Sequence, residues 1–167
     1  MGRIDKENYY LDIAETVAER STCMRRWYGA IIVQNDEIIS TGYNGAPRGR
    51  KNCADLGYCT REAMNIPSGQ RYELCRSVHA EANAIISAAR RETLGATLYM
   101  ACRDPKTGGL IPGSTSCSMC RRLIINAGIV RLVIRDTPTE YRTVDVHKEW
   151  VEEDDSLPEH IRSCECC

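Results

Sequence analysis

The sequence predicts an α/β protein in which helices pack against a single β-sheet. The first observation is a hairpin pattern, in which two apolar runs flank the turn pair Asn35-Asp36. The second is the alternation of strand and helix patterns through the rest of the chain, which is typical of helices layered on a sheet. The third is the length of 167 residues, which suits one domain with one core.

The N-terminal elements follow from their residue patterns. Residues 8–20 place apolar side chains at helical spacing and predict a first amphipathic helix. Residues 29–33 and 37–42 are the two strands of the hairpin. Residues 44–76 are rich in Gly, Pro, Cys and Arg and show little periodicity, so they predict a long loop. Loops of this length in compact domains are usually functional or tied down, and the cysteines within it favour a metal tie.

The second half alternates helices and strands. Strong helix formers in residues 78–91 predict a second helix. Residues 96–100 predict a short strand, and residues 129–134 predict the clearest strand of the chain. Between these strands, residues 103–116 predict a loop and residues 117–127 a third helix, which ends at a glycine as helices commonly do.

The pattern weakens after Pro138. We predict a single domain over residues 1–150 and an acidic tail over residues 151–167, since acidic runs are most often solvated. His147 and His160 have no partner at metal-binding spacing and are predicted to be ordinary surface residues. Three close thiols in the tail could bind metal, oxidise or do nothing, and the last is the simplest expectation. These are Cys164, Cys166 and Cys167.

Composition narrows the classes of function. A net charge of -1 argues against a surface that wraps a polynucleotide, although a small anionic substrate needs only a local basic pocket. No segment approaches the ~18 apolar residues of a membrane span. Residues 1–10 lack the apolar run of a signal peptide, so the expected location is cytoplasmic. Ten cysteines without such a signal favour metal ligands or free thiols over disulfides.

Two short motifs carry the candidate chemistry. His79 and Glu81 lie at the start of one predicted helix, and Cys117 and Cys120 lie at the start of another. One imidazole and two thiolates make a three-ligand zinc set whose fourth position stays open for water, as in catalytic zinc sites. A helix N-terminus also favours the thiolate form. A carboxylate beside that position can move protons, and this is the predicted catalytic role of Glu81.

Each motif has an ordinary interpretation when it stands alone. A single histidine at a helix start is usually a capping or core residue, and an isolated Cys-x-x-Cys is often a redox or structural zinc motif. The combination of His-x-Glu with Cys-x-x-Cys is the signature of zinc-dependent nucleobase deaminases. Their joint presence, each at a helix start, favours the catalytic interpretation.

Further blocks extend the similarity over most of the chain, from about Asp12 to Ile134. With them, the sequence resembles the deoxycytidylate deaminases of the cytidine deaminase superfamily. Residues 42–47 are the specific part, because zinc deaminases of transfer RNA bases lack them. The resemblance implies a three-layer cytidine-deaminase-like fold, with a central mixed sheet of about five strands and helices on both faces. The blocks are Cys23, Gly29 to Val33, Ile39 to Pro47, Cys75, His79 to Ile85, Cys117, Cys120 and Ile124 to Ile129.

The resemblance also implies an activity, the hydrolytic conversion of dCMP to dUMP and ammonia. Glu81 would protonate ring atom N3 and then the leaving amine. Asn44 matches a family position near the nucleotide sugar and phosphate, and Ala80 is a further candidate for substrate contact. Arg25 is a candidate for the phosphate, since a guanidinium fork suits phosphate oxygens. The alternative is that Arg25 and Arg26 are a solvated pair after a helix.

A second set of cysteines matches positions in the microbial branch of the family, where a second zinc pins the long loop. Four thiolates would close a tetrahedral structural site, giving one catalytic and one structural Zn²⁺ per chain. Three thiolates with a water or carboxylate, or scattered buried thiols, are the alternatives. The four residues are Cys23, Cys53, Cys59 and Cys75.

Family members are commonly hexameric and, in some branches, activated by dCTP and inhibited by dTTP. The resemblance therefore implies a homo-oligomer, with a hexamer favoured, and these two nucleotides as candidate effectors. Two departures from the family pattern affect the pocket: Ser116 replaces the usual proline, and residues 102–116 resemble a loop insertion. The insertion keeps two alternatives open, a deaminase of another small pyrimidine or modified nucleotide and a non-catalytic zinc-stabilised nucleotide sensor. The presence of Glu81 argues against the sensor.

Overall fold

A computed structural model of the chain describes residues 2–158. The tail cysteines and His160 lie outside the described residues. The strands are β1 (Trp27–Gln34), β2 (Glu37–Tyr43), β3 (Thr97–Arg103), β4 (Arg131–Arg135) and β5 (Tyr141–Asp145). The helices are α1 (Lys6–Ala18), α2 (Cys53–Leu56), α3 (Thr60–Ala63), α4 (Ala80–Ile86), α5 (Arg90–Thr93) and α6 (Ser118–Ala127). A 3₁₀ turn covers Tyr72–Leu74 and a π-helical turn covers Lys148–Glu152.

The five strands form one mixed sheet in the order β2-β1-β3-β4-β5. Only β3 and β4 run parallel, and α6 supplies the crossover connection that a parallel pair requires. The other neighbours are antiparallel. The sheet predicted from the family resemblance is therefore confirmed.

Helices cover both faces of this sheet. Because side chains alternate along a strand, Ile31 and Val33 pack on one face against α1, and Ala30 and Ile32 pack on the other against α4 and α6. The buried π-helical turn residue Trp150 completes the second face. The predicted arrangement of one sheet between two helical layers is confirmed. Helices α4 and α6 pack on the same face as the π-helical turn.

The contact between β2 and α4 depends on Gly42. A Cβ atom at this position would lie 2.2 Å from the carbonyl oxygen of Ala80 and 2.4 Å from the amide nitrogen of Ala84. Both atoms belong to the backbone of α4, so no rotamer change can relieve the clash. The absence of a side chain at Gly42 therefore fixes how closely α4 approaches the sheet.

We expect Gly42→Ala to lower the free energy of unfolding by about 1–3 kcal/mol or more, because it overpacks a backbone contact. Urea unfolding of the purified protein would measure the loss. Gly109→Ala is the matched control, since its added Cβ would meet only the Thr107 hydroxyl, at 3.3 Å. The control is expected to change stability by less than about 0.5 kcal/mol. Equal stability of both variants would contradict the close-packing argument.

Several sequence predictions agree with the structure. Asn35 and Asp36 both have positive φ, 50° and 67°, as the predicted hairpin turn requires. The first helix begins slightly earlier than predicted, because the Asp5 carboxylate caps it by accepting from the Asn8 amide at 2.9 Å. The third helix ends at Gly128, which has φ 76°.

Other predictions need correction. The helix predicted over residues 78–91 is two helices, α4 and α5, because the Glu92 carboxylate accepts from the Ala89 amide and caps a new start. The loop over residues 44–76 contains α2, α3 and the 3₁₀ turn. Strand β3 continues to Arg103, so the predicted insertion over residues 102–116 begins inside a strand. Strand β5 was not predicted.

Arg135, the last residue of β4, is fully buried beneath α1. Its guanidinium contacts the carboxylate of Asp12. Its Nε lies 2.8 Å from Oε1 of Glu15, an ion pair in which the N–H group does not make a hydrogen bond. It also donates to the Asn8 side chain and to the Pro138 carbonyl, the latter at 2.8 Å. Burial raises the pKa of Glu15, and Arg135 partly offsets the rise. This network ties α1 to the end of β4.

Two further observations concern the surface. Within residues 2–158, no helix combines the length and the apolar character that a membrane crossing requires. His147 is exposed and lies 3.3 Å from a carboxylate oxygen of Glu152, so the structure confirms it as a surface residue.

Candidate active site

Two helix starts converge at one end of the second face. His79 is the N-cap of α4, Cys117 is the N-cap of α6, and Cys120 lies in the first turn of α6. His79 Nδ1 is 3.4 Å from Cys117 Sγ and 3.5 Å from Cys120 Sγ. In the part of the chain that the structure describes, this is the one group of three or more His, Cys or acidic residues whose donor atoms all lie within 4.8 Å of one another. The three predicted ligands are therefore brought together.

The chemistry of the three donors fits zinc. Hydrogen bonding from Cys120, supported by His79, lowers the pKa of the Cys117 thiol to about 4. Hydrogen bonding to Cys117 raises the pKa of His79 to about 10, and the shared hydrogen bond raises the pKa of Cys120. The two sulfurs and the ring nitrogen thus share protons in hydrogen bonds. The same atom types are the ligand atoms that zinc prefers. A divalent cation can take the place of these protons, since metal binding releases them.

Glu81 lies beside this group, in the first turn of α4, with 3% of its surface exposed. Burial raises the pKa of its carboxyl, and hydrogen bonding to its own backbone and to Ser116 partly offsets the rise. A carboxyl with a raised pKa holds a proton more firmly than an exposed one, as a group that passes protons to a substrate requires. Ser116 is 1% exposed, and its hydrogen bonding to Glu81 places it beside the proposed proton carrier.

A cavity of about 170 Å³ opens beside the cluster, and His79, Glu81 and Cys117 line it. The three predicted substrate residues, Asn44, Arg25 and Ala80, line the same cavity. The structure thus places all of them next to the candidate metal site.

Asn44 has a structural role in addition to its place in the cavity. It is 6% exposed, and its side-chain oxygen accepts from the Tyr28 amide at 2.8 Å and from the Ser21 hydroxyl at 2.6 Å. Its side-chain nitrogen donates to the Arg26 carbonyl at 2.9 Å. Asn44 therefore fixes the segment that leads into β1, and this segment forms one wall of the cavity.

Arg25 belongs to this same segment. Its Nε lies 3.1 Å from Oε1 of Glu62 in α3, and its Nη1 is buried without a hydrogen-bond acceptor. A solvated guanidinium would leave no buried nitrogen. The structure therefore favours the pocket interpretation of Arg25 over the solvated pair.

The second set of cysteines belongs to the same cavity, since all four members line it. One of them, Cys75, interacts with His79 of the first group. Burial raises the pKa of Cys53, and its neighbours Cys23, Cys59 and Cys75 raise it further. Cys23 Sγ accepts from the Arg25 amide at 3.4 Å. The four thiols are near one another but, unlike the first group, do not meet within 4.8 Å. A second metal site therefore stays a prediction.

Sequence reasoning missed several lining residues of the cavity, among them Tyr28, Arg61 and Tyr72. The ring of Tyr72 stands edge-on to His79, with 5.2 Å between ring centres and 89° between planes. The Arg61 guanidinium lies 4.5 Å from the centre of the Tyr72 ring. Only the fold of the long loop brings Arg61 and Tyr72 here, and no local pattern signals it. Tyr28 follows the Arg25 segment directly, so its position could have indicated it.

A comparison with family models gives one match over residues 4–135, to the cytidine and deoxycytidylate deaminase zinc-binding region. The chain belongs to this family. The match spans α1 to the end of β4 and contains every residue of the candidate site. The predicted family resemblance is confirmed, and the zinc-binding character of the family agrees with the His79, Cys117 and Cys120 cluster of this deaminase chain.

Individual relatives agree with this assignment. The deoxycytidylate deaminase of Mycobacterium phage D29 is 38% identical over 138 residues, which cover 80% of this chain and 96% of that protein. The deoxycytidylate deaminase of Schizosaccharomyces pombe is 33% identical over 127 residues, which are 76% of this chain but only 36% of the yeast protein. The deaminase chain thus spans about a third of its yeast relative.

Among solved structures, the dCMP deaminase of cyanophage S-TIM5 in complex with dCMP and dUMP is similar, with a TM-score of 0.53 and 23% identity. The match covers 81% of this chain and 85% of that one. At this identity the likeness supports the fold of the deaminase chain.

Proposed function

We propose that this chain is a zinc-dependent deaminase that converts dCMP to dUMP and ammonia. The observation that carries the proposal is the cluster of His79, Cys117 and Cys120 beside the buried carboxyl of Glu81. Of these four residues, His79, Cys117 and Glu81 line the cavity. The names of the relatives support dCMP as the substrate. The strongest support is the deoxycytidylate deaminase of phage D29, since the match covers 96% of that protein.

Each residue of the cluster has a proposed role. His79, Cys117 and Cys120 would hold the zinc, which when bound lowers the pKa of a coordinated water to about 7. Glu81 accepts a proton from the attacking water at its carboxylate and delivers it to ring atom N3 of the substrate. It then takes the remaining proton from the hydroxyl group on C4 and passes it to the amine, which leaves as ammonia while the C4 carbonyl forms. The burial of Glu81 supports this role. A carboxyl that is shielded from bulk water exchanges its proton with the bound substrate and water and not with the solvent.

Asn44, Arg25 and Ala80 are the proposed substrate contacts. Asn44 has one amide hydrogen left after its three structural hydrogen bonds, and this hydrogen is available to the sugar or phosphate. The unpartnered Nη1 of Arg25 is suited to a phosphate oxygen. Ala80 is fully buried, and its small apolar side chain lines the cavity at the start of α4.

A second, structural zinc held by Cys23, Cys53, Cys59 and Cys75 belongs to the same proposal. Its support is that all four thiols line one cavity and that the loop between β2 and α4 has only short helices of its own. Four thiolates around one zinc would connect three parts of this loop to the segment before β1.

We expect Cys53→Ser to remove one zinc per chain and to lower stability more than it lowers the intrinsic rate, because Cys53 belongs to the second set of thiols and is not one of the motif ligands. Elemental analysis of the purified protein would count the zinc. Cys102→Ser is the matched control, since Cys102 is also buried but belongs to neither set. An unchanged metal count in the Cys53 variant would rule out the second site.

The activity is tested by ammonia release from the zinc-loaded protein with cytidine, deoxycytidine, CMP, dCMP and dCTP. Turnover of dCMP above the others supports the proposal. Turnover of a different pyrimidine would support a reshaped pocket instead, and no turnover with zinc bound would support a sensor. Adding dCTP or dTTP to each reaction tests the proposed regulation, and sedimentation tests the proposed hexamer.

A further inference from the structure

The imidazole of His79 is not held by its own helix. His79 is the N-cap of α4, but its side chain makes no capping hydrogen bond. The backbone beside it is fixed, since Val78 and Gly45 exchange two amide hydrogen bonds of 2.8 and 3.1 Å. The ring itself must also keep one orientation, because its Nδ1 has to meet both sulfurs, at 3.4 and 3.5 Å. The contacts that fix the ring therefore decide whether the three donors converge.

Tyr72 makes such a contact. The centres of its ring and of the His79 ring are 5.2 Å apart, and the two planes meet at 89°. This is the edge-on arrangement that aromatic pairs favour. Rotation of the imidazole about either side-chain bond would disturb the arrangement. Tyr72 thus restricts the orientation of the His79 ring.

The turn that contains Tyr72 does not anchor it. Tyr72 begins the 3₁₀ turn Tyr72–Leu74, in which no residue is buried. The preceding residue, Arg71, has a positive φ of 50°, so the chain enters the turn through a sharp bend. A turn this short and this exposed provides little packing of its own. The position of the Tyr72 ring must therefore be set by other residues of the loop.

Arg61, in α3, provides that support. Its guanidinium carbon lies 4.5 Å from the centre of the Tyr72 ring, a cation–π contact. Arg61 is only 5% exposed, and its Nη2 donates to the Pro67 carbonyl at 3.1 Å and to the Gln70 carbonyl. Both carbonyls belong to the segment that joins α3 to the 3₁₀ turn. The guanidinium therefore ties this segment together and holds the Tyr72 ring in one orientation.

We propose that Tyr72 is a positioning residue, which Arg61 holds in place and which orients the imidazole of His79 for zinc binding. The inference rests on the proposed function, because it concerns the zinc site of that proposal. Outer partners of a metal-binding histidine fix the orientation of its ring, and their substitution typically lowers metal affinity by about 10–100-fold. The effect of Tyr72 on the metal passes through His79.

Two other roles for Tyr72 predict different results. Tyr72 lines the cavity, so its ring could contact the substrate instead. Its loss would then raise KM for dCMP and leave zinc affinity unchanged. Alternatively, Cys75 could orient the imidazole alone, since it hydrogen-bonds to His79 and its amide donates to the Tyr72 carbonyl at 2.9 Å. In that case the loss of the Tyr72 ring would leave zinc affinity unchanged as well.

The test measures zinc affinity by competition with a chromogenic chelator. We expect Tyr72→Leu to weaken zinc binding by about tenfold, the lower end of the usual range, because the lost contact is packing and not a hydrogen bond. Tyr72→Phe keeps the ring and is expected to stay within about twofold of wild type. Tyr9→Leu is the matched control: Tyr9 stands edge-on to Tyr10, with 5.0 Å between ring centres, but neither residue lines the cavity. This control is expected to keep the wild-type zinc affinity.

Zinc at the catalytic site must be separated from zinc bound elsewhere. Each variant is measured with and without Cys117→Ser, and the difference reports the site to which Cys117 belongs. Cobalt in place of zinc gives a second readout, since the geometry of the ligands determines its visible spectrum. Tyr72→Leu is expected to shift the absorption bands of this site, and Tyr72→Phe is expected to show the wild-type spectrum.

A double-mutant cycle tests the part played by Arg61. We expect Arg61→Gln to weaken zinc binding by a similar or smaller factor than Tyr72→Leu. Combining the two substitutions should cause no further loss beyond that of Tyr72→Leu, because Arg61 acts through Tyr72. Losses that add would show that Arg61 acts on the site by another route, and its part of the inference would be wrong.

The outcome for Tyr72 does not depend on turnover. Weaker zinc binding by Tyr72→Leu supports the inference even if no dCMP is deaminated, in which case the proposed activity alone is wrong. Unchanged zinc affinity in the folded variant, or an equal loss in Tyr72→Phe or in Tyr9→Leu, overturns the inference even if dCMP is deaminated. Should Tyr72→Leu fail to fold, Tyr72→Met supplies a flexible apolar side chain without a ring and must show the same loss.

Discussion

Replacing Glu81 by glutamine is expected to lower kcat for dCMP by about 10²–10⁴-fold while the zinc content stays unchanged, as befits the loss of a general acid and base. Glutamine has the same shape but cannot carry a proton between water, N3 and the leaving amine. The side chain is buried at 3% exposure, so water cannot readily take over its role. Steady-state kinetics and elemental analysis on the same preparation would measure both effects.

The expected pattern of constants distinguishes proton transfer from binding. Because glutamine fills the same space, KM for dCMP should change much less than kcat. Glu37→Gln is the control, since Glu37 is an exposed residue at the start of β2. Normal turnover by the Glu81 variant would show that another group moves the protons.

Replacing Arg135 by methionine is expected to lower the free energy of unfolding by about 1–3 kcal/mol, the effect of losing the charged hydrogen bonds of a buried guanidinium. Arg135 is fully buried, and its loss leaves the carboxylates of Asp12 and Glu15 without their cation. Urea unfolding of the zinc-loaded protein would measure the change.

A second substitution tests the reason for that loss. Adding Glu15→Gln to the Arg135 variant should recover part of the stability, because it removes an uncompensated charge. Lys6→Met is the surface control: its ion pair with Asp36 is exposed and is expected to contribute at most about 1 kcal/mol. A loss of similar size in the Lys6 and Arg135 variants would mean that the buried network contributes little.

The elements that could be predicted are those with a local signal. The hairpin depends on Asn35 and Asp36, whose residue types adopt the positive φ of the turn. The zinc cluster depends on two motifs, and each of them begins a helix that the sequence also indicates. In these cases a few neighbouring residues determine both conformation and chemistry.

The parts that could not be predicted depend on distant contacts. Strand β5 buries only Val144 among its residues, so it lacks the alternation of apolar and polar residues that would indicate a strand. It becomes a strand because it pairs with β4. The chain breaks after α4 because the Glu92 carboxylate caps the start of α5. The strong helix formers on both sides of the break favour a continuous helix, so the sequence does not indicate it. Arg61 and Tyr72 reach the cavity only through the folded loop, and their neighbours in the sequence give no sign of it.

The connection of the strands determines when the zinc site can assemble. Strand β1 pairs with β2 across a tight turn, but it pairs with β3 through contacts such as Ile31 with Tyr99, far apart along the chain. His79 precedes β3, and Cys117 follows it. Because contacts between distant parts of the chain form slowly, we expect the donors to meet only after β3 has joined the sheet. Metal binding would then be a late step in folding, which completes an existing scaffold and does not nucleate it.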